Sequence, residues 1–302
     1  MLALALMLSV SPITAFAHGD GASGPQARGA TEDIDSRAFT RYELGGSRVY
    51  NKSIYAYSQV PVSHNGAILS VDARLINGEA YVAVRHLAEH LGYRVTYRSA
   101  ERTLNVRGSG LDMDVIDGGN VVWANGRVLF SMTPSVLMSN GRMYAPLASV
   151  SKAFGLGYSL TGSGAELTGA PSPIKSGASF YREDAVYWLS RIINAESRGE
   201  SLLGQIAVGS VVMNRVESPL YPNTIWGVIF DRKWGVQFSP ILDGSIYNTP
   251  TATSTVAAKI CLEGFNVNRD ALFFLYPRAS TSSWIPSTRE YLFSIGKHDF
   301  YA

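Results

Sequence analysis

Two glutamates four residues apart, Glu196 and Glu200, stand in the stretch NAESRGE, directly after DAVYWLSRII. Ala185, Leu189, Ile192 and Ile193 are spaced for one face of a helix, and Glu196 continues that apolar stripe with an ionisable group. A carboxylate there sits either at an exposed helix end or part-buried in a cleft. In a cleft it is suited to proton transfer, and two carboxylates flanking a sugar bond are what most glycosidases use. Like charges one helical turn apart on a single element do not straddle a substrate. The pair therefore divides labour: Glu196 as the acid, with Glu200 paired to an arginine such as Arg215 or capping the next segment.

Other chemistries fare worse. HLAEH, His86 to His90, matches a zinc-protease spacing and would put two histidines on one helix face. It has no third ligand pattern after it, and Leu87 and Leu91 define the core side of that helix, so a solvated face is the better reading. Cys261 lies inside the apolar run AAKICLEG and reads as a structural thiol. As the single cysteine it forms no intrachain disulfide. There is no G-x-S-x-G elbow, no Walker loop and no dinucleotide fingerprint. The expected cofactor and metal complement is none.

The elements that must position the glutamates follow from composition and texture. A chain of 302 residues has length for roughly two domains, and 46% apolar residues supply their cores. A net charge of +2 gives no argument for nucleic acid and leaves only weak attraction to an anionic wall polymer. No run of eighteen apolar residues appears, so no membrane span is expected. Leu2 to Val10 is apolar and is followed by Ala15-Phe16-Ala17, an A-x-A cleavage pattern without the usual basic start. Residues 1–17 are thus expected to be an export signal, and 18–58, rich in Gly, Ser, Arg and Asp, a disordered leader.

From 59 to 168 short alternating runs read as strands, among them GAILSVDARLI, YRVTY, TLNVRG and LDMDVI. Asn77-Gly78, Asn125-Gly126 and Asn140-Gly141 read as hairpin turns. Residues 169–179 form a Pro/Gly/Ser linker. From 180 to 302 the texture turns helical: DAVYWLSRIINAES, LLGQIAVGSVVMNRV, a short turn at TIWGVIF, and TPTATSTVAAKICLEG with Thr249 as cap, Pro250 first and Gly264 as the stop. ALFFLYP reads as a buried strand and the C-terminal segment as aromatic-rich and irregular. The fold class is α+β.

NGEAYVAVRHLAEHLGY at 77–93 aligns with NGRMYAPLASVSKAFGL at 140–156, an internal repeat with an offset of 63 residues. Each copy reads as a turn, a short strand and an amphipathic helix ended by glycine. The duplicated region resembles the copper amine oxidase N-terminal-like domain, a small α+β module. That resemblance implies neither oxidase activity nor a copper site here.

The stretch NAESRGESLLGQIAVGSVVMNRVESPLYPNTIWGVIF, with QFSP, DGSIY and the terminal IGKHDFY, resembles the catalytic domain of SleB/CwlJ-type spore cortex-lytic enzymes, a family of cell wall hydrolases. The likeness covers about 180 to 302 and departs from the family pattern at Leu220-Tyr221, before Pro222-Asn223-Thr224. It implies a lysozyme-like fold related to lytic transglycosylases, with Glu196 as the one catalytic acid. It also implies peptidoglycan glycan strands as substrate, in spore cortex or cell wall, with an accessory spore protein as a candidate partner. Glu196 would protonate the glycosidic oxygen and then act as base on the muramic C6 hydroxyl, with water in its place as the hydrolytic alternative. Gln237, Phe238 and Ser239 are candidates for binding sugar or orienting the acid. Tyr276, Trp284 and Tyr291 are candidates for stacking on rings, with core packing as the favoured alternative for Tyr291. A wall-binding protein with an inactive enzyme domain is the reading from a different class.

Overall fold

The computed structural model describes residues 57–137, 140–233, 235–278, 280 and 284–302. The expected export signal, and all of the expected leader except Tyr57 and Ser58, lie outside the described residues. The chain is α+β, with a sheet-rich N-terminal region and a mainly helical C-terminal region.

The N-terminal region runs β1 (Val62–His64), β2 (Ala67–Ile68), β3 (Ala73–Ile76), β4 (Glu79–Ala83), α1 (Val84–His90), β5 (Arg94–Arg98), β6 (Thr103–Gly108), β7 (Leu111–Ile116), β8 (Val121–Ala124), β9 (Arg127–Phe130), β10 (Val136–Leu137), β11 (Met143–Pro146), α2 (Leu147–Phe154), β12 (Gly157–Thr161) and β13 (Gly164–Thr168). Its sheets have the orders β12-β13-β1-β2, β10-β11-β4-β3 and β5-β6-β7-β8-β9. Asn77-Gly78 and Asn125-Gly126 are two-residue turns with positive φ at both positions, which is why Asn and Gly stand there. Asn140-Gly141 lies in a longer connection between the antiparallel strands β10 and β11.

The repeat has a structural counterpart. β4 and β11 are its two strand copies, and they pair antiparallel with Val82 opposite Ala145. Those two residues are also equivalent in the 63-residue offset, so a local two-fold passes through that pair. Tyr81 and Tyr144, equivalent in the repeat, are both fully buried.

β8 is buried along its whole length because it separates two cores. Val122 and Ala124 point into the core of the N-terminal sheets, while Val121 and Trp123 join the apolar cluster of the C-terminal helices. A strand covered on both faces reads as a continuous apolar run, and VVWA is one. The expected linker is held in place: Ser172 N–H donates to Phe154 O, Ile174 N–H to Ala153 O and Gly177 N–H to Asn125 O. It ends in a short helix, α3 (Gly177–Phe180), capped by Ser176.

The C-terminal region runs α4 (Glu183–Ser197), α5 (Leu202–Glu217), α6 (Ile225–Ile229), α7 (Pro240–Asp243), a 3₁₀ turn (Ser245–Tyr247), α8 (Ala252–Leu262), β14 (Phe273–Leu275), α9 (Trp284–Thr288), β15 (Tyr291–Ile295) and β16 (His298–Tyr301). α4, α5 and α8 pack on one another around Gly209. A Cβ there would lie 2.7 Å from Cys261 Sγ and 2.8 Å from Ile193 Cδ1, so only glycine lets the helices approach this closely.

Two local expectations are corrected. The cap of α8 is Thr251, not Thr249: its hydroxyl accepts from Ser254 N–H at 3.1 Å, and Pro250 precedes the helix. The C-terminal segment is regular, with β15 and β16 forming a hairpin on β14 in the order β14-β16-β15. Gly296, with φ 59°, opens its two-residue turn.

Candidate active site

α4 is amphipathic, with Val186, Leu189, Ile192 and Ile193 in the core. Glu196 lies near its C-terminal end and is half-buried. Burial pushes its carboxyl up to about 7; the Asp243 carboxylate adds to the rise and the Arg215 guanidinium opposes it. A carboxyl with that affinity holds a proton near neutrality and can release it, which is the requirement for a general acid.

The end of α4 is fixed by buried polar side chains. Asn194 Oδ1 accepts from Thr251 N–H at 3.0 Å, with Ser254 Oγ 3.4 Å away. Ser254 Oγ donates its one hydrogen to Gln205 Oε1 at 2.8 Å, and Gln205 Nε2 donates to Glu200 O at 3.0 Å. This chain ties α4, α5 and α8 together just before and after Glu196. A satisfied buried network of this kind specifies one arrangement of the backbone.

Asp243, at the end of α7, is exposed and accepts from Ser245 N–H at 2.8 Å. Hydrogen bonds from Ser245 hold its carboxyl below the usual range, so it faces Glu196 as an anion. Arg215, on α5, is 5% exposed. Its Nε donates to Leu272 O at 2.8 Å, and its guanidinium lies 5.1, 5.3 and 5.4 Å from the ring centroids of Tyr221, Phe238 and Phe273.

The remaining expected residues divide. Glu200 does not pair with Arg215. Its Oε2 accepts from Lys297 N–H at 3.2 Å and packs under Gly296, where a Cβ would come within 1.8 Å of it. It therefore fastens the β15–β16 turn to the α4–α5 junction. Phe238 is 2% exposed and belongs to the helical core under Arg215, so its ring is a wall of the site and not a partner for sugar hydroxyls. Ser239 is exposed at the start of α7, and half-buried Gln237 donates to Gly235 O at 3.1 Å. Tyr276 packs on His298, and Trp284, 49% exposed, packs on Phe273 and Arg289. These partners put both rings with the three-stranded sheet. Tyr291, for which core packing is the favoured expectation, is 54% exposed, because β15 is an edge strand of that sheet.

The alternative centres carry little. His90 is exposed, and half-buried His86 accepts at Nδ1 from Asp72 N–H at 3.4 Å. No cluster of three or more His, Cys, Asp or Glu side chains able to hold a metal occurs among the described residues. Burial pushes the Cys261 thiol up to about 12, which keeps it protonated and unreactive. A surface groove of about 590 Å³, lined by Glu217, Arg269 and Glu290 among others, includes none of Glu196, Arg215 or Asp243.

Asp243 and the role of Arg215 were not evident from spacing. The signals for them were a lone cation in the apolar helix VVMNRV and an acidic residue before a glycine turn in LDGS.

Comparison with known families matches residues 199–301 to the Cell Wall Hydrolase family and residues 62–167 to the Copper amine oxidase N-terminal domain. Residues 199–301 are thus similar to a cell wall hydrolase domain. A spore cortex-lytic enzyme of Bacillus cereus is 39% identical over 120 residues, covering 40% of this chain and 45% of that protein. One from Bacillus subtilis is 38% identical over 112 residues, covering 37% of this chain and 35% of that protein. The chain thus spans less than half the length of these curated relatives. The catalytic domain of the germination-specific lytic transglycosylase SleB from Bacillus anthracis is 37% identical, with a TM-score of 0.38, covering 43% of this chain and 100% of that one. The cell wall hydrolase match begins at Gly199, three residues past Glu196, so the candidacy of Glu196 rests on its position and surroundings.

Proposed function

We propose that the protein cleaves the glycan strands of peptidoglycan, in spore cortex or cell wall, as a lytic transglycosylase with Glu196 as its catalytic acid and base. The observation that carries this reading is a half-buried carboxyl held near pKa 7, just ahead of a cell wall hydrolase domain. Relatives described as spore cortex-lytic enzymes support the choice of substrate.

In the proposed reaction Glu196 gives its proton to the oxygen between N-acetylmuramic acid and N-acetylglucosamine as the C1–O bond breaks. The substrate's N-acetyl group stabilises the positive charge at C1. The muramic C6 hydroxyl attacks C1 and returns its proton to Glu196, closing a 1,6-anhydro ring. One residue serves twice, and atoms and charge balance over the cycle.

Asp243 favours a second reading. A second carboxylate whose charge reaches the acid is also the arrangement of a hydrolytic glycosidase, in which water takes the place of the C6 hydroxyl. The test is incubation of purified protein with cortex and vegetative sacculi, followed by mass spectrometry of the soluble muropeptides. Anhydromuramic ends support the transglycosylase and reducing ends the hydrolase. Binding to sacculi without any release of fragments would leave a wall-binding protein.

A further inference from the structure

Among the described residues Arg215 is a buried cation outside any ion pair. Its Nη1 makes no hydrogen bond, and no carboxylate lies within 4 Å of the guanidinium among the described residues. Leu272 O takes Nε, and three aromatic rings line the rest of the box. Buried charges are ordinarily paired, because an isolated ion loses its hydration with nothing in return.

Three ionisable groups act on the charge of Arg215, in falling order: Tyr221 from the segment between α5 and α6, Asp231 from the segment after α6, and Glu196 from α4. Asp243 on α7 faces Glu196 with the opposite effect. Of these, Glu196 is the group whose charge changes during the proposed reaction. With its proton on, it is neutral and contributes no charge opposite Arg215. Once the proton has passed to the glycosidic oxygen, Glu196 is a carboxylate and the cation gains a further counter-charge beside Asp231. An interaction that is stronger after proton transfer than before lowers the barrier to that transfer.

We propose that Arg215 is a positioning residue for the cleavage step, acting through Glu196: its buried charge stabilises the carboxylate that forms as the glycosidic oxygen takes the proton. This rests on the reading of Glu196 as the acid. The orphaned nitrogen and the apolar box belong to the same device. They keep water from screening the charge, so the field of Arg215 is felt at Glu196 across a gap wider than an ion pair.

The experiment compares wild type, Arg215→Met and Arg215→Lys. Cleavage of cortex sacculi is followed against pH, and the Glu196 carboxyl is titrated by carbon-13 NMR. Arg215→Met is expected to lower the maximal rate by about tenfold to a hundredfold. It should also move the alkaline limb and the NMR midpoint to higher pH, because the acid then keeps its proton longer. Arg215→Lys keeps the charge, so it should hold the limb close to that of wild type and lose less than tenfold. A merely structural role would lower the melting temperature of Arg215→Met and leave limb and midpoint in place. A folded Arg215→Met with an unmoved midpoint overturns the proposal. Should Arg215→Met not fold, a folded Arg215→Lys with a hundredfold loss at an unmoved midpoint overturns it as well, since charge is then not what matters. A wild type that cleaves nothing overturns the reading of function instead, while the titration still scores the coupling of Arg215 to Glu196.

Discussion

Arg127 donates two hydrogen bonds to Glu263, Nε to Oε1 at 2.7 Å and Nη2 to Oε2 at 2.6 Å, and both side chains are almost wholly buried. The pair joins β9 of the N-terminal region to the end of α8. Tyr181 Oη donates to the same carboxylate at 2.7 Å, and Lys152 Nζ lies 2.9 Å from it. In the repeat, Lys152 is the equivalent of Glu89, which is exposed and pairs with Arg85. One copy has thus taken up a contact with the helical region while the other faces solvent.

Arg127→Met is expected to destabilise the protein by about 3 to 5 kcal/mol, because it leaves a buried carboxylate without its main partner. Burial pushes Glu263 up, but the hydrogen bonds from Arg127, Tyr181 and Lys152 outweigh it and hold the carboxyl below its ordinary value. A lowered folded pKa means stability that is present above the unfolded value, near 4.5, and lost as pH falls through the folded one. Chemical denaturation at pH 7 and at about pH 3.5 checks both statements. An Arg127→Met variant as stable as wild type at pH 7 would contradict them.

Glu196→Gln should be more stable than wild type at pH 8 and about equal to it at pH 4. A raised folded pKa contributes stability that is complete below the unfolded value, near 4.5, and lost as pH rises through about 7. Glutamine never ionises and escapes that loss, which amounts to about 3 kcal/mol at pH 8. Melting temperatures across this range measure it; parallel curves for the two proteins would show that Glu196 is not held in a desolvated place.

Asp243→Asn removes an anion that keeps the proton on Glu196. The acid then ionises at lower pH, so the alkaline limb of the pH–rate profile should shift downward, opposite in sign to Arg215→Met. If hydrolysis and not ring closure is the reaction, the rate at the optimum should also collapse. A limb that stays in place or moves up would exclude this role for Asp243.

Gly296→Ala places a Cβ against the Glu200 carboxylate at a backbone φ of 59°. The left-handed conformation costs an alanine about 1 to 2 kcal/mol, and displacing Glu200 adds to it. The expected result is a lowered melting temperature together with loss of hydrogen-exchange protection at Lys297 N–H. Unchanged protection there would show that Glu200 does not fasten the turn.

Much of this was legible because it rests on local periodicity. The 3.6-residue stripe of α4, the Asn-Gly turns and the 63-residue repeat all appear as spacing in the sequence. The same stripe led to Glu196, since a carboxylate on an apolar face stands out. What was not legible depends on contacts between distant residues. Arg215 could have paired with Glu200 by helix position, and only the packing of α5 against Leu272 and Phe238 turns it elsewhere. Phe238 sits in a polar-looking loop motif, yet the loop folds its ring inward. β8 and β9 look like any apolar run until two cores are known to meet on them. The C-terminal hairpin was obscured by aromatic density, and its signal was the single glycine of IGKH.

The most direct test is the turnover of cortex sacculi by Glu196→Gln, with circular dichroism confirming the fold. Glutamine keeps the size and most hydrogen bonds of the acid and removes the transferable proton. The variant should fold normally, bind sacculi and lose cleavage by on the order of a hundredfold or more. A folded Glu196→Gln protein that releases muropeptides at a near-normal rate would contradict the assignment of the acid, and with it the mechanism.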